Sequence, residues 1–328
     1  MRRTTILAAT AALGGLLICS PAAQAGIRYT FADIDVPGSQ LGTTGEFGLA
    51  LNNLGQVAGS YTDNAGNSDG FLYTNGKYVT IDAPGAINTF VYGLNDWGQI
   101  LGVSSFSNGN SYVFLDTHGT FTNIANANDF YPYNNALNDR DQVLGQLSGG
   151  NGGVLNPNGV ITAIDLSGAP GQAYASGFNN FDQFTGTISD SVGEHAFIGR
   201  KGSYTIIDDP NVPPGNTFGD GINDWGQVVG EYYDPTNGDV SGFLYTNGHF
   251  TTVDDPNAYA PIGTEPLVIN DLDQIAGWYY DSQYNAHVFL ATDPPAVPEP
   301  STWAMLALGF GVIGFAGAWR GRTRRLAI

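Results

Sequence analysis

The side chains of this chain that could bind or react are concentrated in its turns. Asp63-Asn64-Ala65-Gly66-Asn67-Ser68-Asp69 and Asp234-Pro235-Thr236-Asn237-Gly238-Asp239 each gather several carboxylate, amide and hydroxyl oxygens on a short loop. Calcium takes hard oxygen ligands from loops of this kind, which makes Asp63, Asp69, Asp234 and Asp239 its candidates. Neither loop has EF-hand spacing or a glycine-rich nonapeptide. Asp, Asn and Gly are also what a hairpin turn prefers, so turn chemistry is the favoured reading and no cofactor is expected.

A second set of turns carries Leu54, Trp97, Arg140, Phe181, Trp225 and Leu272, apolar or aromatic at five of six positions where a solvated tip would be polar. Trp97, Phe181 and Trp225 are candidates for stacking sugar rings, since aromatic side chains offer a large apolar face. The alternative, packing against a neighbouring part of the fold, is preferred from the sequence.

No catalytic residue is assigned. The four histidines are His118 and His249, in glycine-containing turns, and His195 and His287, at the start of apolar runs. There is no Gly-x-Ser-x-Gly elbow, zinc spacing or phosphate loop. Carboxylates are numerous enough for a glycosidase pair, but a pair needs a particular separation that sequence does not display.

The elements that must position these residues repeat. An Asn, followed four residues later by Gln and seven residues later by Gly, recurs at Asn52, Asn95, Asn138, Asn179, Asn223 and Asn270, in steps of 41 to 47 residues. The period suits propeller blades and several helical repeats. Strand composition decides between them. In one copy the apolar runs 91–94, 99–103, 112–115 and 120–124 are separated by Asn, Asp and Gly turns, which predicts four strands joined by hairpins. No sustained helical period with caps lies between residues 27 and 295.

Most copies end in an aromatic, Ile or Val and Asp pattern, as in Tyr78-Val79-Thr80-Ile81-Asp82. The sixth lacks it, and the missing piece stands at the other end as Tyr29-Thr30-Phe31-Ala32-Asp33-Ile34-Asp35. A ring gains from this displacement, because its last blade is stitched from both ends and no long strand edge is left open. The expected fold is therefore all-β: a six-bladed β-propeller over residues 26–295, closed by an N-terminal strand. An elongated β-solenoid or a pair of β-sandwiches is the alternative.

Residues 1–25 carry Arg2 and Arg3, an apolar stretch and Ala23-Gln24-Ala25, the plan of a secretory signal peptide. The sole cysteine, Cys19, falls inside it, so the exported chain would have no disulfide. At the other end, 296–302 form a linker with Val297-Pro298-Glu299-Pro300-Ser301, and 303–328 hold an apolar run from Trp303 to Trp319 followed by Arg320, Arg322, Arg324 and Arg325. At 1.5 Å per residue the run reaches roughly 25 Å, near the lower limit for a transmembrane helix, and the arginines would stay cytoplasmic.

The order of motif, apolar span and basic end resembles the PEP-CTERM sorting signal of Gram-negative bacteria. The resemblance implies an exosortase as processing partner, with Pro298, Glu299 and Pro300 as the sorting motif. It also implies attachment to the inner membrane through the C-terminal helix before processing, then release to a cell surface or matrix rich in exopolysaccharide. The repeats over 29–292 resemble the bacterial extracellular repeats called HAF, spelled once in His195-Ala196-Phe197 and approached in His287-Val288-Phe289. That resemblance implies an extracellular location and brings no catalytic residues.

Between residues 26 and 300 the bases are Arg28, Lys77, Arg140, Arg200 and Lys201, against all 30 acids, a net charge of −25. Nucleic acid is excluded as a partner, because phosphate binding needs clustered Lys and Arg. The sequence thus points to a secreted, envelope-sorted binding or matrix-scaffold module associated with exopolysaccharide. A carbohydrate-active enzyme is the alternative. An enzyme should gather one non-repeated cluster of carboxylates or His in one mouth of the ring, whereas a scaffold should show only repeat-equivalent decoration.

Overall fold

The structure, a computed structural model, describes residues 29–40, 48–148, 152–166, 169, 171–200 and 202–293. Six four-stranded antiparallel sheets follow one another around a ring as the blades of a propeller. Blade 2 shows the pattern with Asn88–Leu94 innermost, then Gln99–Ser105, Ser111–Thr117 and Thr120–Asn126. The other innermost strands are Leu49–Leu51, Phe130–Leu137, Gln172–Phe178, Thr217–Ile222 and Thr264–Ile269.

Ring closure follows the sequence expectation. Thr30–Asp33 pairs antiparallel with Ala286–Thr292, with Phe31 opposite Ala291 and Asp33 opposite Phe289. The Ile34 N–H continues the ladder to the Val288 carbonyl at 2.9 Å. The sixth blade is thus built from both ends of the propeller sequence, which leaves no unpaired seam in the ring.

The repeated Asn, Gln and Gly have structural work to do. The Asn52 Oδ1 accepts hydrogen bonds from the Leu54 N–H at 3.1 Å and the Gln56 N–H at 3.0 Å, while its Nδ2 donates to Gln56 Oε1 at 2.9 Å. One side chain thereby satisfies a turn that would otherwise leave backbone donors unpaired. The Gly permits close approach of backbone: a Cβ at Gly102 would overlap the Phe90 carbonyl of the innermost strand and the Phe114 ring. Phe71, Phe114, Phe197, Phe243 and Phe289, from the third strands of five blades, are fully buried, Phe71 against Gly59 and Phe114 against Gly102, and Phe130 fills the place in blade 3 against Gly145.

The innermost strands of blades 2 to 6 each carry a register shift near the channel, between Val91 and Gly93, Pro132 and Leu137, Ala175 and Gly177, Gly219 and Gly221, and Pro266 and Val268. A bulge leaves one residue outside the ladder and re-aims its side chain. In blade 5 that residue is Asp220.

The signal peptide, the sorting motif Pro298-Glu299-Pro300 and the apolar span 303–328 lie outside the described residues. Among the described residues no helix is long and apolar enough to cross a membrane.

Candidate functional site

The six Asn turns come together around one end of the central channel. Each anchor Asn is buried, and most reach to the next blade: Asn52 Nδ2 donates to the Asn95 carbonyl at 3.1 Å, Asn179 to Asn223 at 2.8 Å, Asn223 to Asn270 at 3.0 Å and Asn270 to Asn52 at 2.9 Å. The next residue of each turn makes a second ring. The backbone N–H groups of Asn53, Asp96, Asp139, Asn180, Asp224 and Asp271 each donate to the side-chain oxygen of the following member, at 2.7 to 2.9 Å, and the circle closes from Asp271 back to Asn53.

Two Asn among four Asp make this ring tenable. Asn53 Nδ2 bridges Asp96 at 2.8 Å and Asp271 at 2.9 Å, and Asn180 Nδ2 bridges Asp139 and Asp224, both at 2.9 Å. The order Asn, Asp, Asp thus occurs twice around six blades. Burial raises the Asp271 pKa, partly offset by the Asp224 N–H and the Asn53 amide that it accepts from.

Around this polar centre stand the apolar turn residues. Leu54, Trp97, Phe181, Trp225 and Leu272 are exposed, from 54 % at Phe181 to 73 % at Trp225. The preference for packing against the neighbouring blade is corrected here: the rings lie on the surface. The two indoles are nonetheless held, since Trp97 Nε1 donates to the Asp139 carbonyl at 3.0 Å and Trp225 Nε1 to that of Asp271 at 3.1 Å, each on the following blade. An edge tied by a hydrogen bond leaves a fixed flat face open to a ligand. Arg140 occupies the equivalent place in blade 3 and pairs with Asp182.

The calcium candidates serve their own turns. Asp63 Oδ1 accepts from the Ala65 and Asn67 N–H groups at 2.8 and 2.9 Å, which holds its carboxyl below the usual range. Asp234 Oδ1 accepts from Thr236 Oγ1 at 2.6 Å and the Thr236 N–H at 2.9 Å, and Asp239 donates its N–H to Asn237 Oδ1 at 3.0 Å. Asp69 lies in a strand, paired with Tyr61, and burial first, then Asp82 and Asp63, raise its pKa. Among the described residues no group of three or more His, Cys, Asp or Glu is arranged to hold a metal ion.

His195 and His287 sit in matching clasps. His195 Nδ1 is 2.8 Å from Asp208 and its Nε2 3.3 Å from Asp190; His287 Nδ1 is 2.7 Å from Asp35 and its Nε2 3.5 Å from Asp281. Repeat-equivalent residues in equivalent bonds are structural ties between strands.

A further group was missed in the sequence. Asp220 and Glu265 come from the innermost strands of blades 5 and 6, and Glu231 from the second strand of blade 5. Asp220 and Glu265 come close enough to disturb the Glu231 carboxyl, and Glu265 that of Asp220. Burial, then Glu265, raises the Asp220 pKa; burial, then Asp220 and Glu265, raises that of Glu231; and burial raises that of Glu265. None of the three carboxyls hydrogen-bonds to another described group. Repeat comparison explains why for Glu231. Its counterpart in blade 1 is Ser60, whose Oγ accepts the Val91 N–H at 2.8 Å across the seam. The residue equivalent to Val91 in blade 6 is Pro266, which has no N–H to give.

Residues 296–325 match the PEP-CTERM protein-sorting motif. The chain carries an envelope-sorting signal. Such a signal implies an exported protein of a Gram-negative bacterium, recognised and processed by an exosortase. A search of curated proteins finds no match. Solved structures similar in shape include virginiamycin B lyase from Staphylococcus aureus, at 12 % identity and TM-score 0.44 over 81 % of this chain and 99 % of that one. The SapL1 lectin in complex with alpha methyl fucoside is similar at 11 % identity and TM-score 0.46, over 80 % of this chain and 98 % of that one. The gluconolactonase XC5397 from Xanthomonas campestris is similar at 12 % identity and TM-score 0.46, over 81 % and 90 %.

Proposed function

We propose that the exported propeller is a binding module of the cell envelope whose turn face takes extracellular polysaccharide. One observation carries the reading: Trp97, Phe181 and Trp225 stand exposed around the channel, with both indoles fixed by bonds to the following blade. Flat apolar faces stack on the C–H surface of sugar rings, and the adjacent carboxylates and amides suit hydroxyl groups. The resemblance of the repeats to HAF extracellular repeats accords with it, as does a sorting signal that delivers the chain to the envelope. The test is affinity electrophoresis of the full-length chain in gels containing the host's own exopolysaccharide. Retardation that is lost on replacing both Trp97 and Trp225 by Ala supports the reading; no retardation, or retardation unchanged by the double variant, overturns it.

A second reading, a carbohydrate-active enzyme, is favoured by Asp220, Glu231 and Glu265. They form a non-repeated carboxylate cluster away from the turn face, and carboxyls with raised pKa can act as general acids. Release of reducing ends from the same polysaccharide, abolished in D220N, is its expected signature.

A further inference from the structure

Three to five residues back from the Asn turns, the inner strands of blades 3 to 6, with Gln146 of a second strand, line an open-sided cavity of about 250 Å³. Tyr133 and Tyr174 line it with Asn134, Gln146, Ser176 and Asp220. The space suits a ligand of one ring, not a polymer. Its position within the repeat makes it informative. The residue three before each anchor is Leu49, Tyr92, Asn135, Ser176, Asp220 or Leu267, so the carboxylate occurs in one blade alone. Glu265 stands where blades 2 to 5 have Phe90, Tyr133, Tyr174 and Phe218, and Glu231 where the others have Ser60, Val103, Gln146, Thr187 and Trp278. Three departures at three different repeat positions fall on adjacent strands of blades 5 and 6, and Asp220 among them lines the cavity.

The arrangement is costly to the fold. Asp220 is set deep in the molecule with only a partial opening to solvent, on a bulge that frees it from the ladder. The charges acting on Asp220 and Glu231 come from within the group, Glu265 on Asp220 and both Asp220 and Glu265 on Glu231. Pro266 removes the backbone donor that the equivalent blade seam supplies to Ser60. A carboxyl group in such a place holds its proton, and ionises when a cation arrives to pair with it. Neutral side chains at these positions would be more comfortable, as other blades show.

We propose that this cavity is a second ligand site, for a protonated amine on a sugar-sized ring, with Asp220 receiving the ammonium, Glu231 and Glu265 on the strands beside Asp220 adding their charge from outside the cavity wall, and Tyr133 and Tyr174 flanking the ring. The site is independent of the turn-face reading: it lies deeper along the inner strands than the Asn turns and shares no residue with the tryptophan turns. Amine binding converts carboxylic acid to carboxylate, so protons leave the protein as the ligand enters. The proton comes from the Asp220, Glu231 and Glu265 group and goes to buffer, and no covalent bond in the ligand changes.

The experiment is titration calorimetry of the full-length chain with D-glucosamine, with D-glucose and N-acetyl-D-glucosamine as neutral controls, in two buffers of different ionisation enthalpy. Glucosamine is expected to bind with net proton release, and the neutral sugars at least about tenfold more weakly, since loss of one charge-assisted bond costs that much. D220S and E231S install the side chains that Ser176 and Ser60 provide in other blades, so both should fold; each is expected to weaken glucosamine by at least about tenfold and to reduce proton release. Equal binding of glucose and glucosamine, binding without proton release, or full binding in both folded variants overturns the proposal, as does an absence of glucosamine binding. The W97A/W225A chain should bind glucosamine unchanged, which separates failure here from failure of the turn-face reading.

Discussion

His287 Nδ1 lies 2.7 Å from Asp35 Oδ2, so the last strand of the propeller is tied by side chains to the strand borrowed from the start of the chain. Asp35 Oδ1 also accepts the Val288 N–H at 3.1 Å. The bond spans 252 residues and belongs to the one seam that chain connectivity does not secure. The same residue type in blade 4 makes the same bond to Asp208 within a continuous stretch of chain. Removing the His287 tie should therefore cost more than removing that of His195. Thermal unfolding should show a larger fall in Tm for H287A than for H195A; equal falls would mean that the ring seam is no weaker than a blade interior.

The pH dependence of stability has a defined direction. Burial opposes charge on His287 and His195, but their Asp partners outweigh it and both pKa values are raised above 6.5. A raised histidine pKa gives stability that is fully present below the unfolded value and lost as pH rises through the folded one. The raised pKa values of Asp220, Glu231 and Glu265 act the same way, because the unfolded chain gives up those protons first. Tm should fall as pH is raised from about 6.5 through the folded histidine values, and the slope should flatten in H195Q/H287Q/E231Q. A Tm that rises over this interval contradicts the assignment.

The mixed Asn and Asp ring predicts an asymmetry between opposite substitutions. D96N keeps an oxygen for the Asn53 N–H but turns the Oδ2 that accepts from Asn53 Nδ2 into a donor, so it should cost about 1 kcal/mol, the loss of one of the two amide bridges. N53D removes the amide that bridges Asp96 and Asp271 and sets a third carboxylate between them. A loss of roughly 1–3 kcal/mol follows, measurable by urea unfolding. A neutral N53D would show that the bridging amide contributes little.

Gly102 and its repeat equivalents predict a packing defect. At Gly102 a methyl group would overlap the Phe90 carbonyl and the Phe114 ring, so G102A should destabilise by about 1–3 kcal/mol. By contrast, Gly66 has open space around a Cβ but a φ of 88°, and G66A should cost about 1 kcal/mol through strain alone. Equal effects in chemical unfolding would argue against close approach as the reason for the repeated glycine.

Much of the architecture was legible because it is local and repeated. A turn that satisfies its own donors with one Asn, and a Gly that admits a neighbouring backbone, recur at a fixed spacing in the chain, and Tyr29 to Asp35 completes a pattern missing after Leu290. The orientation of the turn residues was less accessible. Leu54, Trp97, Phe181, Trp225 and Leu272 are apolar, and apolarity by itself argues for burial; their exposure depends on where the ring of blades places the turn tips. The Asp220 group left a trace that could have been read, since acids replace uncharged residues at three repeat positions in the last two blades and a Pro stands where its counterpart donates an N–H.

Sequence alone determined the period, the strand order within a blade, the borrowed closing strand and the sorting signal, because each is written in neighbouring residues or in regular recurrence. Tertiary structure alone decided that the tryptophan faces are open and that Asp220, Glu231 and Glu265 fall on neighbouring buried strands. Those outcomes depend on the angle between blades and on a bulge that turns one side chain off its ladder, and neither is encoded at any single position.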